Sequence, residues 1–184
     1  DGFVGFGLKK DEFVCDCSDL DDVIVFRRDG NCVVTKIQEK GFVGKDILHV
    51  AIFRKGDERM VYNMVYLDGE SGKAMVKRFQ VIGVTRDREY DLTKGTKGSK
   101  VMYLTANPNG EAEVVSVLLT PGSTARVKKF DFDFSTLEIK GRTSKGNTLT
   151  KYPVKKIEKI SSGTSTLGGI NVWLDESVGR LNMD

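Results

Sequence analysis

The sequence predicts an all-β domain, on three observations. A two-strand unit with a glycine turn recurs along the chain. No segment carries a sustained helical period bounded by caps. The composition supplies 20 glycines against 3 prolines, which suits many tight turns between strands. The turn glycines Gly30, Gly72, Gly110, Gly146 and Gly179 follow one another at intervals of 33 to 42 residues. That period belongs to a repeat array or a propeller rather than a sandwich. The 184 residues are enough for one domain with its own core, and 1–184 reads as a single domain.

The first copy of the unit runs from Val23 to Ile37. Val23 to Phe26 is a continuous apolar run, as expected of a strand buried on both faces. Asp29-Gly30-Asn31 supplies residues that tolerate positive φ at a tight hairpin. Cys32 to Ile37 resumes as the return strand. A second copy, Tyr62 to Phe79, repeats the design with a longer turn through Gly69 and Gly72. The third, Val101 to Leu119, turns at Asn107-Pro108-Asn109-Gly110, and Pro121 to Thr124 is a loop within the repeat. The fourth, Leu137 to Val154, turns at Ser144-Lys145-Gly146-Asn147. A partial fifth begins at Val172, and its strand Asn171 to Leu174, with Trp173, is expected to pack near the N-terminal repeat. Glycine-rich loops, Lys40 to Ile47 and Lys94 to Val101 among them, lie between the hairpins. Their glycines permit close approach of either another backbone or phosphate groups.

The formal charge is only +3, but it is unevenly spread. Residues 1 to 30 carry four basic and eight acidic side chains. Residues 140 to 160 carry seven basic side chains against Glu158 alone, and residues 73 to 100 carry eight against three acidic ones. Two readings stay open on charge alone: a side facing a polyanion, or solvated strand faces that keep the fold soluble.

The usual catalytic patterns are absent from the sequence. His49 is the one histidine, in the apolar stretch Ile47-Leu48-His49-Val50-Ala51. There it reads as a packed or edge residue rather than a general base. No nucleophile elbow or phosphate-binding Walker loop occurs. Cys15, Cys17 and Cys32 with His49 match no common zinc spacing, so the thiols are expected to be reduced and metal-free, and no cofactor is expected. Cys15 and Cys17, two apart on an expected strand, would face the same way. No apolar run approaches the roughly 20 residues that span a bilayer, so no membrane role is expected. Asp1 opens the chain mid-pattern, as expected of a domain excised from a longer subunit.

Several stretches taken in order resemble one family. Lys9-Lys10-Asp11-Glu12-Phe13-Val14, Asp21-Asp22-Val23-Ile24-Val25-Phe26, Ala106-Asn107-Pro108-Asn109-Gly110-Glu111-Ala112-Glu113 and Gly141-Arg142-Thr143-Ser144-Lys145-Gly146 carry the likeness. It is to the C-terminal domains of bacterial type IIA topoisomerase A subunits, most of all those of topoisomerase IV, and it spans nearly the whole chain. The resemblance implies a β-pinwheel, a propeller-like disc of four to five four-stranded blades whose neighbours exchange strands. It also implies non-specific duplex DNA binding and bending at a basic rim. Tyrosine cleavage chemistry would lie in the catalytic core of the same subunit, ATP binding on the B subunit, and the location would be the cytoplasmic nucleoid. The gyrase box of the type Gln-Arg-Arg-Gly-Gly-x-Gly is missing; Lys94 to Lys100 is the nearest stretch. That departure implies topoisomerase IV over gyrase.

A rim of this kind neutralises phosphates and needs no base-reading groups. The candidate DNA contacts are Lys36, Lys40, Lys45, Lys77, Arg78, Lys97, Lys100, Lys140, Arg142, Lys145, Lys151, Lys155 and Lys156. Two rival classes are a β-propeller protein-interaction module and an RNA-binding barrel. The second would expose aromatic rings for base stacking.

Overall fold

The computed structural model describes residues 2–8, 13–18, 20–165 and 167, with the backbone of 172–175 and 180–183. In chain order the strands are β1 (Phe3–Val4), β2 (Asp22–Arg27), β3 (Asn31–Lys36), β4 (Gly41–Phe42), β5 (Ile47–Phe53) and β6 (Val61–Leu67). They continue with β7 (Ala74–Gln80), β8 (Glu89–Asp91), β9 (Lys100–Asn107), β10 (Glu111–Leu119) and β11 (Lys129–Asp133). The last are β12 (Ile139–Gly141), β13 (Asn147–Thr150), β14 (Val154–Ser165), β15 (Val172–Asp175) and β16 (Arg180–Met183). The chain is all-β, as expected. Among the described residues the only helical turn is a 3-10 turn, Phe134–Thr136, capped by the Asp133 carboxylate accepting from Ser135 N at 2.9 Å.

The same three-strand design appears three times. A first strand forms a hairpin with the second and is paired on its other edge by a third, giving β5-β2-β3, β9-β6-β7 and β14-β10-β11. The third strand then leads directly into the first strand of the next unit. A further segment, between second and third strands, leaves its own unit and covers the second strand of the preceding one. Thus β8 pairs with β3, and both β12 and β13 pair with β7. Neighbouring units are therefore interlocked by exchanged strands. Each sheet is open, and none closes on itself.

The sheets stack with a core between each pair. Ile24, Phe26, Tyr62, Met64, Met75 and Phe79 fill the space between the first and second. Val65, Ala74, Val76, Val115, Val117 and Phe134 fill that between the second and third. The two-residue alternation of a strand sends Ile24 and Phe26 one way and Val25 the other, where it meets Val33 and Val43. Val23 to Phe26 is buried on both faces for this reason. At the first hairpin Gly30 has φ +89°, and an added Cβ would sit 2.5 Å from Thr93 Cγ2. Glycine is required there on both counts.

The structure corrects the expected repeats at two places. The arms of the third copy do not pair with each other: β9 joins β6, and β10 joins β11 and β14. Asn107 Nδ2 donates to Val61 O at 3.1 Å, which ties the turn back to the second sheet. The fourth copy is likewise no hairpin. Its arms lie end to end on one edge of β7, β12 parallel and β13 antiparallel. Cys15 and Cys17, expected on a strand, lie within residues 13–18, which have no regular structure. Cys17 is exposed, Cys15 half-buried and Cys32 buried. The strand expected at Asn171 to Leu174 begins at Val172 and pairs with β16. The packing of the Trp173 side chain against the N-terminal repeat lies outside the described residues.

Candidate nucleic-acid interface

Most expected contacts are exposed lysines that share one topological address. They run from the last residue of a unit's second strand to the opening residues of its third. In the first unit these are Lys36, Lys40 and Lys45; in the second, Lys97 and Lys100. In the third they are Lys140, Lys145, Lys151, Lys155 and Lys156, all exposed. The strand exchange thus carries like charges to equivalent places in successive units. An edge segment that pairs on one side only leaves its side chains free for solvent, and lysines at such edges also block unwanted strand addition.

Lys77 and Arg78 do not belong to this exposed set. Both sit on β7, which is covered on both faces and both edges, at 3% and 2% exposure. Lys77 points toward the core between the first two sheets, with Nζ donating to Arg142 O and Ser144 O at 3.0 Å each. It also stands 4.7 Å from the centre of the Phe79 ring. Burial lowers its pKa to about 8, against the opposing influence of Cys32 and Asp91. Arg78 faces the other way and ties three segments together. It donates to Asn63 Oδ1 at 3.1 Å, Gly110 O at 2.9 Å and Leu137 O at 3.4 Å. Their hydrogen-bonding capacity is directed inward, as buried charges require.

Arg142 is half-buried rather than exposed. Its guanidinium carbon lies 4.1 Å from the centre of the Tyr90 ring, and its Nε is buried without a hydrogen-bond partner. Arg86, Arg88 and Lys94 are exposed in the second unit's exchanged segment and were missed by the sequence reading. The positive excess of residues 73 to 100 was the available signal. Arg88 also approaches the Tyr90 ring, at 5.5 Å, whereas Arg86 is paired with Asp22 at 3.1 Å. That ion pair joins the acidic N-terminal stretch to a basic segment, so the two are not on separate sides of the molecule.

Lys140 and Lys145 line a cleft of about 130 Å³ between the exchanged segment and β7, together with Lys77, Arg78 and Glu138. The glycine-rich loop before β9 closes on its own unit's hairpin. A Cβ on Gly69 would lie 2.1 Å from Lys97 O, and Gly69 N donates to Ser99 Oγ at 3.1 Å. Close backbone approach accounts for Gly69, whereas Gly95 and Gly98 adopt φ +71° and +83°, which favour glycine.

Among the described residues, His49 and Cys32 are the groups nearest to the usual catalytic types, and both are turned into the fold. His49 is half-buried on β5, its Nε2 lacks a partner, and burial lowers its pKa. Burial pushes the Cys32 thiol up to about 12, only partly countered by the Arg142, Lys77 and Arg27 charges. A thiol with so high a pKa is a poor nucleophile at neutral pH. Among the described residues no three His, Cys, Asp or Glu side chains are grouped to hold a metal ion.

Residues 1–161 match the family model described as the topoisomerase C-terminal domain of Bacteroidota. No curated protein matches the chain.

Proposed function

Given that the chain belongs to the topoisomerase C-terminal domain family, we propose that it binds duplex DNA without sequence preference and bends it. The carrying observation is the repeated placement of exposed lysines on the segments that link successive units. A row of such charges releases counterions from the DNA backbone and reads no base edges. No recognition helix is present among the described residues, so preferences between duplexes arise from DNA bendability. The exchange of β8, β12 and β13 between units supports a β-pinwheel, with the lysine-bearing segments arrayed along its rim.

In this reading the domain performs no chemistry and needs no cofactor. It presents a DNA segment to the catalytic core of its own subunit, which works with an ATP-hydrolysing B subunit at the nucleoid in the cytoplasm. The missing Gln-Arg-Arg-Gly-Gly-x-Gly run favours the A subunit of topoisomerase IV over that of gyrase. Fluorescence anisotropy on labelled duplexes of unrelated sequence tests the binding claim. Similar affinities for all duplexes, falling linearly on a log–log plot against salt, support it. Preference for single-stranded RNA, or no binding at low salt, refutes it.

A further inference from the structure

The strand order leaves two ribbons at the chain ends that are each half of a sheet. In the first sheet the order is third, first, second and exchanged strand: β5-β2-β3-β8. The second repeats it, with β12 and β13 sharing the exchanged position. By position in the chain, β1 precedes a first strand, as β5 and β9 do, and is a third strand. By the same rule β4, between β3 and β5, is an exchanged strand. Those two strands flank a hairpin in the complete sheets, yet here they pair directly, Phe3 with Phe42 and Val4 with Gly41. The β15–β16 ribbon is a first–second hairpin whose outer edges carry no other strand among the described residues.

Three further observations bring the halves together. The β1–β4 ribbon already occupies a sheet's place in the stack: Val4 and Val43 pack on Val25 and Val33, on the face of the first sheet turned away from the second. It is too small for that place, leaving Phe3 and Phe42 at 39% and 63% exposure with their ring centres 5.2 Å apart. The hairpin has a central strand's sequence. Val172-Trp173-Leu174-Asp175 parallels Val65-Tyr66-Leu67-Asp68, where Val65 and Tyr66 are fully buried between two sheets. The register puts Val172, Leu174, Leu181 and Met183 on one face of the ribbon. Isolated two-stranded ribbons are marginal in water, and free edges of this kind seek strands.

We propose that the β15–β16 hairpin inserts between β1 and β4 of the same chain, giving a fourth sheet in the order β1-β15-β16-β4. The insertion replaces the β1–β4 ladder, and the bonds from Val43 N to Gly2 O, Phe6 N to Gln38 O and Gly7 N to Glu39 O beside it, with two flanking ladders and joins the two ends of the stack. It rests on strand order and packing alone, independently of any DNA contact.

Trp173 is the only tryptophan, so its emission reads the hairpin directly. The experiment compares the 184-residue chain with the Phe3→Asp/Phe42→Asp variant and with Leu174→Asp, by acrylamide quenching and amide hydrogen exchange. Insertion sets the Val172 and Leu174 face on the first sheet and turns the Trp173 face toward the other end of the stack, so it predicts quencher-protected Trp173 in the parent chain, and a red shift with lost protection in the Phe3/Phe42 variant. It also predicts reciprocal loss: Leu174→Asp deprotects the amides of β4, and the Phe3/Phe42 variant those of β15, while β6 and β7 stay protected in both. Trp173 equally quenched in parent and variant overturns the proposal. So does protection at one end that ignores changes at the other, or burial that appears only with doubling of the mass in sedimentation.

Discussion

The guanidinium of Arg142 lies over the face of Tyr90 at 4.1 Å from the ring centre, joining the exchanged segments of two successive units. Tyr90 belongs to β8, which covers the first sheet, and Arg142 follows β12, which covers the second. The tyrosine is fixed from behind, since its hydroxyl oxygen accepts from Thr85 N at 2.7 Å. Lys77 holds the other side of the contact by donating to the Arg142 carbonyl. The stack therefore locks one exchange to the next. A double-mutant cycle of Arg142→Ala and Tyr90→Leu, followed by urea unfolding, should give a coupling of about 1 kcal/mol. Additive effects would show that the contact contributes no more than packing.

Glu113 is the centre of a buried polar network at the second boundary between units. Its carboxylate accepts from Asn63 Nδ2 at 3.0 Å, Thr105 Oγ1 at 2.6 Å and Tyr103 OH at 3.1 Å. Through Asn63 it is linked by two hydrogen bonds to Arg78, which is buried with it. Glu113→Ala would leave several donors unsatisfied and weaken the countercharge of a buried guanidinium, and should cost about 3 kcal/mol or more. Glu113→Gln keeps shape and one acceptor and should cost clearly less. Equal losses in denaturant titrations would mean that volume, not polarity, sets the effect.

The DNA interface can be separated from folding by choosing exposed residues. Changing Lys140, Lys145 and Lys151 to Glu should weaken binding to every duplex alike. If each lysine meets one phosphate, the slope of log affinity against log salt should fall by about 0.9 per lost contact. Arg142 is left intact because its stack on Tyr90 would confound the result. Asp16→Lys, in the exposed stretch before β2 and outside the linking segments, should leave binding unchanged or slightly stronger. A salt slope that does not move in the triple variant would place the interface elsewhere.

His49 should make the fold sensitive to mild acid. Burial lowers its pKa in the folded chain below the ordinary value of 6.5 that the unfolded chain keeps. The unfolded state therefore binds more protons as pH falls below that value. Stability is fully present above about pH 6.5 and is lost as pH drops toward and through the folded pKa. Unfolding free energies measured between pH 5 and 8 should fall more steeply with acid in the parent than in His49→Leu. Parallel curves would show that His49 titrates alike in both states.

Much of the secondary structure was legible in the sequence. The apolar run Val23 to Phe26, the glycine at position 30 and the turn at Asn107 to Gly110 specify strands and turns through local sterics and alternation, which need no partner. The exposed lysines were legible as well, because charge rarely leaves water. What stayed hidden was which strand meets which. A turn sequence brings the chain around but does not say whether its arms bond to each other, and β9 and β10 separate into different sheets after the same Asn-Pro-Asn-Gly that would close a hairpin. That choice is made by non-local edges competing for one set of backbone hydrogen bonds. The fate of Lys77 and Arg78 follows from it. On an edge strand they would have been surface cations; with β6 on one side of β7, β12 and β13 on the other and a sheet over each face, the same two residues became internal ties.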